Sequence, residues 1–295
     1  MKLRSFWKIA PSWARYDIWN VGIAALDRPL ADVRDLARWT SIRWLPPRPP
    51  FRFVADPFPY RDADGREWLL VEDYGHQRRE RGRISRVDPA NPSSPLEPVI
   101  ARDRHMSYPF TFTDAGGTYC TPEISAEDGV AVYRLHDGAW TLAHHILRGQ
   151  RLVDPTVVRY DGLWWVFGTD PKPSHNAVLR AFYSKALAGP WTAHTGNPLK
   201  NDPASARPAG RPFTIGDRLF RPAQDCRLTY GGAVNVMEVR ALTPTEFDES
   251  PALRLEPDPS WPYPDGLHHL VVEGTRVYFD AKRAHVDFLL WAKLF

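Results

Sequence analysis

Short apolar runs, each followed by a tight-turn sequence and a second apolar run, recur along the chain. The first unit reads FPY from Phe58, the turn DADG (62–65) and then EWLLVE from Glu67. Apolar and aromatic runs joined by an Asp/Gly turn are typical of a β-hairpin. A third run, GRISRVD from Gly82, follows. The unit therefore predicts at least three antiparallel strands.

The same unit returns four more times. It reads SYPFTFTDAGGTYCTPEIS (107–125), LVDPTVVRYDGLWWVFGTD (152–170), ARPAGRPFTIGDRLFRPAQD (206–225) and DGLHHLVVEGTRVYFDAKR (265–283). Rough anchors at Asp56, Pro109, Asp154, Arg211 and His269 are 53, 45, 57 and 58 residues apart. A period of this size with three or four short strands per unit indicates a β-propeller.

We predict an all-β, five-bladed β-propeller that occupies 1–295 as a single domain. The predicted blades are 50–100, 101–148, 149–200, 201–255 and 256–295, with 17–26 supplying a strand that closes the ring. Leu30, Val33 and Leu36 have helical spacing and predict a short N-terminal helix over 28–39. An irregular β-sandwich is the alternative fold.

Composition agrees with a β-rich chain and narrows the partners. The 29 prolines, 12 tryptophans and 11 tyrosines among 295 residues favour strands and turns over helices. The 38 basic and 35 acidic residues are interspersed, so no nucleic-acid partner is expected. The two cysteines form no metal or disulfide pattern, and we expect free thiols.

Targeting and cofactor signals are weak. Apolar runs near the start are interrupted by charges and Pro11, and no run approaches 18 apolar residues. We therefore expect no signal peptide, no membrane span and a cytoplasmic location. The sequence holds no HExxH, zinc-type Cys/His spacing or phosphate-binding glycine loop, so we expect no metal ligand set and no cofactor.

The predicted hairpins place polar residues at one mouth of the central channel. The start of each first strand and the end of each second strand lie on the same face, as with Asp56 and Glu72. The same geometry gathers Tyr108, Glu123, Asp154, Asp170, Arg207, Arg211, Gln224, Asp225, His268 or His269, Lys282 and Arg283. Because convergent polar groups in a concave mouth indicate a binding site, we predict a functional site there.

Structural explanations compete with this prediction. An Asp-Pro pair, as at Asp56 or Asp154, also serves as a plain turn device. Arg207 and Arg211 could be structural ion-pair partners. His268 and His269 are adjacent on a predicted strand, so at most one is expected to face the channel.

Several stretches resemble one known family. They are FVADPFPY, SYPFTF, TYCTPEIS, LVDPTVVRYDGLWWVFGT, GPWTAHTGNPLKNDPASARPAGRPF and LFRPAQDCRLTYGGAVNVMEV, within about 50–283. They look like the family named after the N-terminal domain of plant glucosamine inositolphosphorylceramide transferase. That domain is a five-bladed propeller similar to glycoside hydrolase family 43.

The resemblance implies roles for individual residues. In the family 43 pattern, Asp56 corresponds to the general base and Asp154 to an aspartate that orients the substrate and tunes the acid. The expected proton-donor glutamate is missing from RPAGRPF, which leaves Glu123 or Asp225 as the acid of an inverting pair. The resemblance also implies that His269 faces the channel and helps to hold a water or a cation on its axis.

Two functions remain open at this stage. The first is an inverting glycoside hydrolase that acts on a surface glycan or glycoconjugate, with three carboxylates around one pocket. The second is a non-catalytic glycan-binding propeller that accompanies a transferase pathway, with its carboxylates neutralised by arginines. Arg207, Arg211, Lys282 and Arg283 predict an anionic sugar in either case. A transferase activity is not expected of the propeller itself, and the oligomeric state is left open.

Overall fold

The computed structural model describes residues 14–76 and 81–287, and these residues form five antiparallel sheets. The sheets are the blades of a five-bladed β-propeller, which confirms the predicted fold and makes the sandwich alternative wrong. Before the first blade the chain forms β1 (Arg15–Ala25), a 3-10 helix (Val33–Ala37) and β2 (Ser41–Trp44).

The strands of the blades follow in chain order. The first blade holds β3 (Arg52–Arg61), β4 (Glu67–Gly75), β5 (Arg83–Val87) and β6 (Glu97–Ile100). The second holds β7 (Met106–Asp114), β8 (Gly117–Ile124), β9 (Val130–His136) and β10 (Ala139–Ile146). The third holds β11 (Val153–Tyr160), β12 (Leu163–Thr169), β13 (Val178–Ser184), β14 (Thr192–Ala193) and β15 (Lys200–Asn201).

The fourth blade holds β16 (Phe213–Ile215), β17 (Arg218–Asp225), β18 (Ala233–Leu242) and β19 (Phe247–Leu255). The fifth holds β20 (Gly266–Glu273) and β21 (Arg276–Val286), together with β1 and β2. In each blade the innermost strand is followed by an antiparallel neighbour that runs back along it. This order brings the start of the first strand and the end of the second to one face, as the sequence predicts.

The two ends of the chain close the ring within one sheet. Strand β1 pairs with β21 over eleven positions, from Arg15 opposite Val286 to Ala25 opposite Arg276, and β2 pairs with the outer edge of β1. The predicted closing strand at 17–26 is thus present. It occupies the third place in the fifth blade. The last apolar run of the sequence is VDFLLWAKL (286–294), and its residues 288–294 lie outside the described residues.

The predicted helix over 28–39 is replaced by a single 3-10 turn. Asp32 caps the turn by accepting the N–H of Arg34, and Asp35 accepts the N–H groups of Ala31 and Asp32. Val33 is buried within the turn. A turn of five residues is too short to sustain an α-helix by itself, so local capping and packing determine its form. The described part of the chain holds no helix long and apolar enough to cross a bilayer.

The middle of the channel is filled. Tyr108, Phe58 and His269 are completely buried, and their rings pack edge to face at centroid distances of 4.5 to 5.7 Å. The Tyr108 hydroxyl accepts the N–H of Gly210 at 2.9 Å and shares a 2.8 Å hydrogen bond with Thr156 Oγ1. This plug leaves one cavity at the upper mouth, where the inner strands begin, and another at the lower mouth, where they end.

Candidate functional site

Three inner strands carry the same irregularity at the upper mouth. Asp56, Tyr108 and Asp154 each precede a proline and have left-handed φ values of 52°, 46° and 52°. The strand pairing shifts at the same three places. A left-handed conformation is unfavourable for a residue with a side chain, so it persists only where surrounding contacts hold it. A bulge of this kind re-aims a side chain away from the strand's alternation.

Carboxylates from the same mouth hold these bulges in place. The N–H of Asp56 donates to Asp280 at 2.8 Å, that of Tyr108 donates to Asp56 at 3.0 Å, and that of Asp154 donates to Glu123 at 3.0 Å. Each bond links one blade to a neighbouring blade. The ring of bulges therefore collects carboxylates near the channel axis.

These groups line a cavity of about 460 Å³, which we call the acidic cavity. Its carboxyl groups belong to Asp56, Glu72, Glu123 and Asp154. Its other described lining residues include Trp19, Phe53, Tyr74, Arg207, Tyr230 and His268. The cavity therefore combines acid groups with aromatic walls.

Asp56 faces a histidine that is held by a second aspartate. His268 Nε2 lies 3.6 Å from Asp56 Oδ1, while its Nδ1 lies 2.6 Å from Asp280 Oδ1. Burial raises the pKa of Asp56 to about 7, with Asp280 and Asp154 adding to the increase against the charge of His268. Burial would lower the pKa of His268, but the charge and hydrogen bond of Asp280 and the charges of Asp56 and Asp154 together raise the pKa above its usual value. The three groups therefore share protons as a unit.

Asp154 has different partners. Arg207 Nε donates to Asp154 Oδ2 at 2.6 Å, and its Nη2 lies 3.4 Å from Oδ1. Gln224 Nε2 adds a bond to Oδ2 at 3.0 Å. The Arg207 guanidinium also lies 4.9 Å from the ring centre of Tyr230. Asp154 is therefore a buried, ion-paired carboxylate.

Glu123 and Glu72 are the other two carboxyl groups of the acidic cavity. Among the described residues, no arginine bonds to either of them. Burial raises the pKa of Glu123 to about 8, with the charge of Asp154 adding to the increase and that of Arg207 opposing it. Burial also raises the pKa of Glu72 well above its usual value, helped by Asp56 and Glu123. His105 Nε2 lies 3.5 Å from Glu72. Glu123 is therefore largely protonated near neutral pH, and the protonated form of Glu72 is favoured in the same direction.

Comparison with known proteins identifies the family. The family model described as "Glucosamine inositolphosphorylceramide transferase 1, N-terminal" matches residues 47–258, which is more than half of the chain. The chain belongs to this family. It is 35% identical over 212 residues to glucosamine inositolphosphorylceramide transferase 1 of Oryza sativa subsp. japonica, covering 68% of this chain and 28% of that protein.

A second relative gives the same result. The protein of that name in Arabidopsis thaliana is 29% identical over 256 residues, covering 78% of this chain and 33% of its own length. The chain thus spans about a third or less of the curated relatives that it matches.

Solved structures of sugar-cleaving enzymes share the fold. The exo-β-1,3-galactanase 1,3Gal43A of Clostridium thermocellum superposes with a TM-score of 0.53 at 14% identity, covering 77% of this chain and 58% of that one. The family 117 glycoside hydrolase Zg3597 of Zobellia galactanivorans gives 0.52 at 12% identity, covering 81% and 86%. At these identities the likeness shows the fold alone.

Two predicted acidic site residues lie elsewhere. Asp225 accepts hydrogen bonds from Arg227 and Arg254, which lower its pKa to about 2 although partial burial opposes them. The prediction of Asp225 as a proton donor is therefore wrong, because it is ionised at any working pH. Asp170 forms an ion pair with Arg180 at 2.9 Å and is not among the described residues of the acidic cavity.

Most of the cations predicted to bind an anionic sugar do not line the acidic cavity. Arg211 lies at the lower mouth and pairs with Glu273 at 2.8 Å. Lys282 is completely buried and donates to Asp17 at 2.7 Å. Arg283 is exposed on β21. Arg207 is bonded to Asp154. The four cations from which we predicted an anionic sugar are therefore either paired or outside the acidic cavity, so they no longer support that prediction.

Three further predicted binding residues support the site without lining it. Tyr108 holds Asp56 through its backbone N–H, while its ring is part of the channel plug. Gln224 lies behind Asp154 and is 1% exposed. His269 lies below Asp56, with its Nε2 at 3.1 Å from the carbonyl oxygen of Pro57. Burial lowers the pKa of His269 to about 4.

The expectation that one histidine at most faces the channel is wrong. The pairing of β20 with β21 shifts between Leu267 and His269, which breaks the alternation of side chains. As a result both His268 and His269 approach Asp56, at 3.6 and 3.7 Å. The histidine that lines the acidic cavity is His268.

Sequence reasoning missed Asp280, Trp19 and Tyr230. Asp280 lies two residues before Lys282 on β21, so strand alternation alone places both on one face. Trp19 comes from the ring-closing strand β1, and its ring stacks on His268 with centroids 3.9 Å apart. Tyr230 is carried by the loop between β17 and β18, where Lys282 Nζ donates to its carbonyl oxygen at 2.7 Å. The sequence offers no signal for that last contact.

The trio of Asp56, His268 and Asp280 also has the donor set of a cation site. Their ligand atoms lie within 4.8 Å of one another, and two carboxylates with an imidazole suit a divalent metal. Asp280, however, already binds His268 Nδ1 at 2.6 Å. The three residues therefore fit a proton-sharing unit at least as well as a cation site. The cation expected near His269 stays a prediction.

Proposed function

We propose that the acidic cavity hydrolyses a glycosidic bond, with Asp56 as general base and Glu123 as general acid. The observation that carries the proposal is that one cavity holds two buried carboxyl groups, Asp56 and Glu123, to which no arginine bonds among the described residues, and that burial raises their pKa values to about 7 and about 8. Between these values Asp56 is largely ionised while Glu123 is largely protonated. Glycoside hydrolysis requires this combination of charges.

The environment of Asp56 suits a base that accepts a proton from water. Its Oδ2 is fixed by the N–H of Tyr108, and its Oδ1 faces His268 Nε2. Asp280 holds the other nitrogen of His268 and favours the charged imidazole. A proton taken up by Asp56 therefore enters a unit that already shares charge among three groups, and Asp56 is positioned without the flexibility of an exposed carboxylate.

The environment of Glu123 suits an acid that gives up a proton to the leaving oxygen. One Glu123 oxygen accepts the N–H of Asp154 at 3.0 Å, which orients the carboxyl group. When Glu123 loses its proton, that N–H and the charge of Arg207 stabilise the carboxylate. Asp154 keeps Arg207 in place. We infer that Asp154 positions and tunes the acid and does not itself transfer the proton.

The substrate that we propose is a neutral or amine-bearing sugar. Tyr230 is exposed enough to offer an aromatic face for a sugar ring, and Glu72, whose pKa burial raises, can donate to a hydroxyl when it carries a proton. The charge of Arg207 is neutralised by Asp154, so Arg207 is not free to bind an anion. Glucosamine in the name of the relatives and galactanase in the names of two structural neighbours are reasons to include both sugars in a screen.

The first test is a hydrolysis screen of the wild type against galactosides, glucosaminides, glucosaminyl inositol phosphates and acidic polysaccharides. We expect sugar release from a neutral or amine-bearing member. Asp56→Asn and Glu123→Gln are expected to lower the rate by about a hundredfold or more, the usual share of a general acid or base. Asp225→Asn is the matched control, because Asp225 is an aspartate outside the acidic cavity, and it should retain the rate.

The pH profile gives a second test. The rate is expected to rise as Asp56 ionises near pH 7 and to fall as Glu123 loses its proton near pH 8, so that it peaks between these values. Asp56→Asn is expected to remove the acidic limb from any residual activity, and Glu123→Gln the basic limb. A profile that keeps both limbs in both variants contradicts these assignments.

A recognition function has one observation in its favour. The Asp154–Arg207 pair is fixed, and its guanidinium lies against Tyr230, as in a rigid binding wall. Binding is therefore to be followed by calorimetry on the same panel. Sugar binding without release, at an affinity that Asp56→Asn leaves unchanged, overturns the hydrolase and establishes a glycan-binding propeller.

A further inference from the structure

The lower mouth of the channel holds a second cavity of about 410 Å³. It lies where β3, β7, β11 and β20 end, and the channel plug separates it from the acidic cavity. The residues that matter here are Phe112, Asp114, Arg159, Trp164, Arg211 and Glu273, and we call this the lower cavity. None of its described lining residues also lines the acidic cavity.

Arg211 reaches the lower cavity from the fourth blade and is only partly satisfied. Its Nη1 pairs with Glu273 at 2.8 Å, and its Nη2 donates to the carbonyl oxygens of Pro59 and Thr111 and to Thr111 Oγ1 at 2.7 to 3.1 Å. Its Nε is shielded from solvent and has no acceptor among the described residues. A buried N–H without an acceptor is unfavourable, so a ligand oxygen at this point would stabilise the site.

The charges around the lower cavity are balanced. Arg211 faces Glu273, and Arg159 lies 3.9 Å from Asp114. Arg61 and Glu67, also in the lining, pair at 3.1 Å. Each cation is therefore matched by a carboxylate, and the lining offers paired donors and acceptors but no net charge for an ion.

The floor of the lower cavity is aromatic. Phe112 and Trp164 pack edge to face with centroids 5.8 Å apart, and the Arg159 guanidinium lies 5.7 Å from the Trp164 ring centre. The Arg159 side chain is 64% exposed, so it is accessible to a ligand. Aromatic faces beside carboxylate and guanidinium groups suit a ring that has apolar C–H faces and hydroxyl edges.

We propose that the lower cavity binds a neutral sugar ring as a second carbohydrate site. On binding, the Arg211 side chain turns so that its shielded Nε donates to one sugar oxygen, while Asp114 and Arg159 bind neighbouring hydroxyls. Phe112, which is partly exposed, supports the ring face beside the buried Trp164. An anion fits less well, because the other two nitrogens of Arg211 are already bonded and carboxylates flank the cavity. The site does not depend on hydrolysis at the acidic cavity.

The test uses protein labelled with 5-fluorotryptophan, whose Trp164 fluorine signal is assigned by comparison with Trp164→Phe. Neutral probes are galactose, glucose, N-acetylglucosamine and their disaccharides, and inorganic phosphate is the anionic probe. We expect a neutral sugar to shift the Trp164 signal with saturation. Arg159→Ala should weaken this binding about three- to tenfold, the effect of losing one hydrogen-bonding group.

Matched variants separate the lower cavity from folding and from the acidic cavity. Arg211→Lys keeps the charge but removes the Nε donor, and it should weaken binding about as much as Arg159→Ala. Arg218→Ala removes an exposed arginine of another blade, paired with Glu238, and should leave binding unchanged. Asp56→Asn should also leave the Trp164 response unchanged.

Three results overturn the proposal. One is that no neutral sugar moves the Trp164 signal. Another is that phosphate saturates the site and displaces the sugar, which makes it an anion site. The third is that sugar binding survives Arg159→Ala and Arg211→Lys but is lost in Asp56→Asn, which places all sugar binding in the acidic cavity.

Discussion

Asp56 and Asp154 occupy the same position in two blades but meet opposite neighbours. Both precede a proline, both have a φ of 52° and both are buried. Asp56 faces His268 across 3.6 Å, and no arginine bonds to it among the described residues. Asp154 is held by Arg207 at 2.6 Å and by Gln224 at 3.0 Å. The same backbone device thus presents a titratable carboxyl group in one blade and an ion pair in another.

The difference shows which level of structure decides the chemistry. The bulge places each carboxyl group at the upper mouth, and both side chains are buried there. What distinguishes them is a residue from another blade, His268 for Asp56 and Arg207 for Asp154. Blade packing, rather than the local Asp-Pro sequence, therefore selects which aspartate can exchange protons near neutral pH.

The largest effect is expected from breaking the ion pair. Arg207→Met leaves Asp154 buried without its cation and is expected to lower the free energy of unfolding by about 3–5 kcal/mol. Urea denaturation measures this change. The double variant Arg207→Met/Asp154→Leu removes both charges and should recover most of the loss, because the isolated buried charge is the unfavourable feature.

The ion-pair prediction has a clear control and a clear contradiction. Arg218→Met breaks an exposed pair with Glu238 and should change stability far less than Arg207→Met. A double variant that is no more stable than Arg207→Met alone contradicts the account, since the loss would then come from packing. In that case the ion pair would matter less to the stability of the fold than the contacts of Asp154 indicate.

The next effect concerns the pH dependence of stability around Asp56. Its pKa is raised from 3.8 to about 7 on folding, so the folded protein keeps a proton that the unfolded chain releases. Its contribution to stability is present below pH 3.8 and is lost as pH rises through 7. Between these values the free energy of unfolding should decrease by up to about 1.4 kcal/mol per pH unit for this group.

Asp56→Asn is expected to remove that slope, as measured by urea denaturation at several pH values from 4 to 8. Asp154→Asn serves as the comparison, because it deprives Arg207 of its partner and should lower stability across the whole range. The expectation fails if the wild type and Asp56→Asn show parallel curves. Parallel curves would mean that Asp56 is ionised in the folded protein throughout this pH range.

The fold was predictable because its signals are local and repeated. Each hairpin carries its own turn sequence; in the first, the Asp62 carboxylate accepts the N–H groups of Asp64 and Arg66, while Gly65 takes a φ of 77°. Five such units at a regular spacing leave few alternatives to a propeller. The predicted helix failed because the segment is short, and in the structure it forms only a capped 3-10 turn.

The site was predictable only in part. Asp56, Glu72, Glu123, Asp154 and Arg207 line one cavity, as the strand-end geometry suggests. Lys282 obeys the same geometry, but it is bonded to Asp17 of the ring-closing strand, a contact between opposite ends of the chain. Strand alternation allowed only one of His268 and His269 to face the axis, but a bulge brings both of them to Asp56. Neither event leaves a mark in the local sequence.

The smallest effect is expected from removing the hydrogen bonds of Gln224. This change tests whether Gln224 contributes to the difference between Asp154 and Asp56. Gln224 Nε2 donates to Asp154 at 3.0 Å and to the carbonyl oxygen of Pro208 at 2.9 Å, and both acceptors are buried. Gln224→Met keeps the volume but removes both bonds, so we expect a loss of about 1–3 kcal/mol in urea denaturation. The loss should shrink when Asp154→Leu is already present, because one acceptor is then gone. An unchanged loss would assign the whole effect to Pro208 and leave Arg207 as the partner that sets Asp154 apart from Asp56.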